Sequence, residues 1–235
     1  ATPEVRQDII RRLDIPGASI VCTGFDRPNL HFAVQRTRDK DRSLLEFLRK
    51  HDKQCGVIYC ATRSKVESVT QQLQRHGFKA LRYHAGLTPE ERRNNQNAFV
   101  GGLVPLIVAT NAFGMGIDKA DVRFVVHYNM PKDVESYYQE AGRAGRDGLE
   151  SECLLLYDKA DIAVNTYLIG HDQPDLAWKA HEMELLQKMT FYCNTSGCLR
   201  RVLLEYFGEK APAKCNHCGN CDANKNASWR RFLDL

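Results

Sequence analysis

The residues of this 235-residue chain whose types and spacing could do chemistry lie in two places. Arg143 and Arg146 stand among Gly142, Gly145 and Gly148, where a helix starting near Asp133 must break. At that spacing both guanidiniums leave the last helical turn on one side with little side-chain bulk around them, which suits a chain of phosphates. The second place is Cys215-Asn-His-Cys218-Gly-Asn-Cys221, whose C-x₂-C-x₂-C spacing can set three thiolates around one ion. Cys198 completes a four-thiolate set in the order C-x₁₆-C-x₂-C-x₂-C, with Cys193 and His217 as rivals for one of the four places. A closed set of four thiolates leaves no position for a reacting molecule, so the ion's work would be structural, and Zn²⁺ is expected ahead of an iron–sulfur cluster. His181-Glu-Met-Glu-Leu185 lacks the second histidine of a zinc-protease helix. Cys22, Cys55, Cys60 and Cys153 have no ligand spacing and read as packing or exposed thiols.

Short apolar runs must position these groups. Gly56–Cys60, Lys79–Tyr83, Leu106–Ala109, Val122–His127 and Glu152–Tyr157 read as buried strands, and Ser19–Thr23 as a further short one. Between them, helical spacing predicts helices over Pro3–Leu13, Asp39–Lys50, Thr62 through Gln74, and onward from Thr88-Pro-Glu-Glu91, where Thr88 is an N-cap and Pro89 the first helical residue. The alternation of strand and helix predicts a parallel α/β sheet flanked by helices, with a site at the carboxyl ends of its strands that includes the arginines. Two such ends look fit for phosphate. At Ala61-Thr62-Arg63 a helix amino terminus, a hydroxyl and a guanidinium coincide, and Ala109-Thr110-Asn111 ends the next strand in the same style. Gly114 and Gly116 let backbone approach a ligand, although Lys119 stands where a dinucleotide fingerprint needs its third glycine. After Asp158 the pattern becomes helical over Ala160–Gly170, Leu176–Cys193 and Gly197–Phe207.

The string Gln139-Glu-Ala-Gly-Arg-Ala-Gly-Arg-Asp-Gly148, with Thr110-Asn-Ala-Phe-Gly-Met-Gly-Ile-Asp118 upstream, resembles the last two signature motifs of superfamily 2 helicases. Gln139, where many RNA helicases carry His, makes it similar to the RecQ DNA helicases in particular. Phe25-Asp-Arg-Pro-Asn29, the YHAGL run at Tyr83–Leu87 and CLRRVLLEYFGE from Cys198 extend the resemblance over essentially the whole chain, in order. It implies a RecA-like second motor lobe followed by a small helical zinc-binding subdomain, within an ATP-dependent 3′-to-5′ DNA helicase that acts in DNA repair and recombination. By the same resemblance Arg146 is the arginine finger on the ATP γ-phosphate, Arg143 assists it, and Gly116, Asp118 and Gln139 border the nucleotide. Thr62, Arg63, His84, Thr110 and Asn111 would lie along the DNA, and Cys198, Cys215, Cys218 and Cys221 would hold zinc. The implied domains are 1–24 (end of the first lobe and interlobe segment), 25–157 (second lobe) and 158–235 (zinc subdomain and start of a linker).

Ala1-Thr2-Pro3 resembles the tail of the motif that closes the first RecQ motor domain, so we expect the chain to start at a cut. It contains no G-x-x-x-x-G-K-[ST] phosphate loop and no D-E-x-[HD] box, so ATP and Mg²⁺ are expected only together with the first lobe of the same parent, and the piece alone is expected to be inert. The formal net charge of +4 permits nucleic acid, here single-stranded DNA and duplex junctions, without demanding it. Lys210, Lys214, Lys225, Arg230 and Arg231, interleaved with Trp229 and Phe232, form a basic end that reads either as a backbone-tracking segment or as a solvated linker. With no run of eighteen apolar residues, no signal-like start and nine cysteines, the expectation is a soluble protein with no membrane partner in a reducing compartment, cytoplasmic in a bacterium or nuclear in a eukaryote. The rival reading from another class is a non-catalytic zinc-stabilised module that binds nucleic acid or protein.

Overall fold

In a computed structural model the described residues are 3–21, 24–113, 119–172 and 175–223. Gly114, Gly116, Asp118, Cys22 and the stretch from Lys225 to Phe232 lie outside them. In chain order the elements are α1 (Pro3–Arg12), β1 (Leu30–Arg36), α2 (Lys40–Lys50), β2 (Gly56–Tyr59), α3 (Arg63–Arg75), β3 (Ala80–Tyr83), α4 (Pro89–Val100), β4 (Leu106–Ala109), β5 (Phe124–His127), α5 (Val134–Ala141), β6 (Ser151–Tyr157), α6 (Ala160–Asp172), α7 (Leu176–Asn194) and α8 (Leu199–Tyr206). No helix among the described residues is long and apolar enough to cross a membrane.

The strands form one six-stranded sheet in the order β1-β6-β5-β2-β4-β3, parallel at every pairing. Every residue of β2, β4 and β5 is buried, as expected of parallel strands covered on both faces. Gly56 opens β2 because a Cβ there would overlap the Phe124 ring of the neighbouring strand. Leu44 and Leu48 of α2 and Val66, Val69 and Leu73 of α3 join Ile58, Val108, Val126 and Leu156 in the core. The helix starts follow their sequence signals, with Asp39, Thr62 and Asp133 capping α2, α3 and α5 through their side chains. At α4, Thr88 and Glu91 form a reciprocal capping box with Pro89 in the first turn.

One expectation fails. No strand forms over residues 19–21, where Ile20 and Val21 are 53% and 87% exposed and no neighbouring strand pairs with them among the described residues. One edge strand is instead β1, starting nine residues after Val21, which pairs with β6 from Leu30↔Ser151 to Arg36↔Tyr157.

The division of the packing does not run at residue 158. The chain divides into two compact units, Asn29–Asn194 and a second made of Ala1–Pro28 with Thr195–Leu235. α6 and α7 thus belong to the unit of the sheet, and specific bonds explain why. Lys40 makes a buried ion pair with Asp161, Asn165 Nδ2 donates to Met130 O at 2.9 Å, and Arg36 Nε donates to Cys193 O at 3.3 Å. The buried rings of Tyr137 and Tyr192 lie 5.1 Å apart with their hydroxyls joined at 3.3 Å. In the second unit Phe25 stacks on Phe207 at 4.5 Å, and Arg200 donates to Asp26 Oδ1 at 2.6 Å and to Arg27 O at 2.7 Å. The Phe25–Asn29 string is therefore built into the packing of α8 as well as into a turn.

Candidate functional site

Because β2 lies between β4 and β5, with Tyr59 level with Ala109 and His127, three chain exits sit side by side at the carboxyl edge. Thr62 leaves β2 in an extended conformation and its Oγ1 accepts Lys65 N–H at 3.2 Å, so the amino end of α3 opens beside exposed Thr62, Arg63 and Ser64. On the neighbouring exit Thr110 is buried and closes a turn, its Oγ1 accepting Ala112 N–H at 3.4 Å and its carbonyl Phe113 N–H at 3.0 Å, while Asn111 is exposed. Beside them is a cleft of about 440 Å³ lined by Ala61, Asn111, His127, Lys132 and Trp178, among others.

His84 does not share that exposure. It is buried, with Nε2 donating to Glu67 Oε1 at 2.9 Å and Nδ1 accepting Gly86 N–H at 3.2 Å. Glu67 is held in turn by Arg82 Nη1 at 2.8 Å. With both ring nitrogens engaged, His84 shapes the loop after β3, and the Arg63 side chain lies against the same loop, 3.3 Å from where a Cβ on Gly86 would be.

The arginine loop arrives at the other end of the sheet. α5 has only eight residues, begins beyond the carboxyl end of β5 and runs back along the strands. Its exit therefore meets the amino ends, where Gly145 N–H donates to Val122 O at 2.9 Å and Asp147 N–H to Ala120 O at 3.3 Å. Arg123 fixes the same loop through Asp147 Oδ2 at 2.6 Å. Gly145 has a φ of +55°, and a Cβ on it would meet Asn29 Nδ2 at 2.4 Å, Leu149 O at 2.7 Å and Ser151 Oγ at 2.8 Å. Asn29 clamps the loop by donating to Gly145 O at 2.8 Å and Leu149 O at 3.0 Å. The last residue of the Phe25–Asn29 string is thus a structural partner of the arginine motif, and Gln139 is exposed on α5 just before it.

Within this frame Arg146 is exposed and Arg143 half-buried. The Arg143 guanidinium lies close enough to the Tyr59 hydroxyl to act on it, and that hydroxyl donates to Phe113 O at 2.9 Å. Burial pushes the Tyr59 hydroxyl well above its usual range against the pull of both arginines, so it stays a neutral donor. Tyr59 was not legible as a functional residue. It joins the arginine motif to the start of the glycine-containing loop after β4, and its only signal in the sequence was an aromatic closing a buried strand. His127 lies under the same region, fully buried, stacked on Tyr59 and donating from Nε2 to Glu140 Oε2 at 2.9 Å.

In the second unit the thiols of Cys198, Cys215, Cys218 and Cys221 all lie within 4.8 Å of one another. Zinc–sulfur bonds of about 2.3 Å in a tetrahedron require sulfurs about 3.8 Å apart, so the four need contract by no more than about 1 Å to close on an ion. The set is braced from outside. Asn220 Nδ2 donates to Thr195 O at 3.0 Å and Gly197 O at 2.8 Å, and His217 N–H points to Cys215 Sγ at 3.3 Å. His217 thus meets the cluster through its amide. The other rival, Cys193, is buried in α7 and is not among the clustered thiols.

A family model for the helicase conserved C-terminal domain matches residues 39–148, and one for RecQ zinc-binding matches residues 159–222. The class is thus a RecA-like helicase C-terminal lobe with a zinc-binding region after it. The chain belongs to the RecQ family of helicases. It is 45% identical over 97% of its length to the ATP-dependent DNA helicase RecQ of Bacillus subtilis, and 41% identical over 92% to the protein of that name from Pasteurella multocida. A putative ATP-dependent RNA helicase of Acanthamoeba polyphaga mimivirus is 38% identical over 94%. The chain spans 38%, 34% and 40% of these relatives' lengths respectively.

Two outcomes follow from this geometry. Gly145→Ala combines a left-handed backbone with three close contacts and should lose about 2–4 kcal/mol in urea unfolding, whereas Gly148→Ala, strained in backbone alone, should lose about 1–2 kcal/mol. Elemental analysis should give one zinc per chain and its loss in Cys218→Ser, with a fall in melting temperature; an unchanged zinc content in that variant would contradict the ligand set.

Proposed function

We propose that this chain is the second motor lobe of an ATP-driven, 3′-to-5′ DNA helicase acting in DNA repair and recombination, working where cellular DNA is held. The observation that carries the reading is the rigid mounting of an exposed Arg146 on the loop held by Asn29 and Gly145, with Arg143 near Tyr59. ATP and Mg²⁺ bind together with the amino-terminal lobe of the same parent, whose phosphate loop and carboxylates supply what this sequence does not contain. Arg146 then neutralises charge building on the γ-phosphate, Arg143 holds the adjacent wall, and Gly116, Asp118 and Gln139 border the nucleotide. At the carboxyl edge Thr62, Arg63, Thr110 and Asn111 take the backbone of the single strand next to the duplex junction. His84 acts there through the loop that it shapes. Zinc in the Cys198, Cys215, Cys218 and Cys221 set supplies folding energy and no chemistry.

The name of the mimivirus relative gives RNA a specific claim as an alternative strand, and both polymers belong in the test. With the upstream lobe present, DNA-stimulated ATP hydrolysis should fall by about 10³-fold or more in Arg146→Ala while nucleotide binding persists. Hydrolysis untouched by that substitution would favour a non-catalytic zinc-stabilised binding module, and stimulation by RNA alone would favour an RNA motor.

A further inference from the structure

The exit of β2 toward Thr62 is held by a relay, anchored on a buried ion pair, that lies outside every motif named above. Asn129, just past the end of β5, accepts Ala61 N–H at Oδ1 (3.2 Å) and donates from Nδ2 to Asp161 Oδ1 (3.0 Å). Both oxygens of Asp161, in the first turn of α6, take the Lys40 ammonium at 2.8 and 2.6 Å, with side chains only 9% and 5% exposed. Asp158 N–H adds a further bond to Asp161 Oδ2 at 3.2 Å. The amide of Asn129 has one orientation that serves both partners, since an N–H needs its oxygen and a carboxylate needs its NH₂.

In effect the side chain prolongs the sheet. The β2–β5 ladder carries on past the strand ends with Tyr128 N–H donating to Tyr59 O at 2.8 Å, and Asn129 Oδ1 receives the amide of Ala61 beyond it. Tyr128 adds a second brace, donating to Asp41 Oδ1 at 2.8 Å beneath the ammoniums of Lys40 and Lys65, which lie 5.7 and 5.6 Å from its ring centre. Lys65 is the residue whose amide Thr62 caps. A buried ion pair with its remaining hydrogen-bonding capacity filled is costly to disturb, so it makes a fixed post for whatever hangs on it.

We propose that Asn129, anchored by the Lys40–Asp161 pair, is the positioning residue for the turn between β2 and α3: it aims Thr62 and Arg63 at the nucleic-acid backbone and ties that aim to α2 and α6. The proposal rests on the reading that this turn grips DNA. Asn129→Asp sets a second carboxylate against Asp161 and removes the donor, whereas adding Asp161→Asn restores a donor–acceptor pair and keeps a single negative charge beside Lys40.

In the two-lobe parent, Asn129→Asp should raise the single-stranded DNA concentration that half-saturates ATP hydrolysis by about tenfold, with the rate at saturating DNA within about twofold of the parent. The double variant should recover to within about threefold. Hydrogen exchange over residues 61–66 should quicken in the single variant and slow again in the double, with zinc content and exchange in β4 unchanged, which separates mispositioning from misfolding. Wild-type DNA dependence and exchange in Asn129→Asp, or a double variant no better than the single, would overturn the proposal. Arg63→Ala is the control for the underlying reading. If it leaves DNA dependence unmoved while Asn129→Asp still quickens exchange, the DNA grip itself is wrong and the positioning role falls with it.

Discussion

Parallel pairing of strands buried on both faces is the constraint from which the rest of the lobe follows. β2, β4 and β5 have no solvent-facing residue, so polar groups can appear only where those strands begin and end. At the carboxyl edge the chain leaves through Thr62, Thr110 and Asn129, and at the amino edge it is met by the loop that carries Arg146. Two candidate surfaces on one small sheet are a consequence of that arrangement, with short α5 carrying the chain from one to the other.

Communication between these surfaces has a visible physical route. Glu140 on α5 binds His127 at the end of β5, and His127 stacks on Tyr59 at 5.5 Å. The hydroxyl of Tyr59 meets both Arg143 and the carbonyl of Phe113, while the next residues of β2 lead to Ala61 and Thr62. A displacement of the arginine loop therefore acts on side chains packed against the strand that leads to Thr62. Gly145 and Asn29 make that loop stiff, and stiffness is what an electrostatic group needs in order to lose little on reorganising around charge.

Local pattern made much of this readable, and long-range contact hid the remainder. Four-residue apolar runs such as Gly56–Tyr59 and Leu106–Ala109 announce buried strands, Thr88-Pro-Glu-Glu91 announces a helix start, and cysteines two residues apart announce a metal turn, because each signal is complete within a few residues. β1 was missed because Leu30–Arg36 is an edge strand only partly buried, with His31, Gln35 and Arg36 diluting its apolar signal. Ile20 and Val21 gave the opposite error, being apolar with no strand beside them. That the backbone of the arginine loop meets Val122 and Ala120 was not readable, because it depends on where the short α5 ends beside the strands. Tyr59, Asn29 and the Lys40–Asp161–Asn129 relay were out of reach because each depends on partners tens of residues away.

The central claim is that Arg146 completes a nucleotide pocket whose other wall belongs to a preceding lobe. The most direct measurement is a crystal structure of the two-lobe protein with ADP and a fluoride analogue of the transferring phosphoryl group. The account predicts the Arg146 guanidinium about 3 Å from the fluorides, with Arg143 still beside Tyr59. An Arg146 turned to solvent or paired to a carboxylate of its own lobe in that state would contradict it.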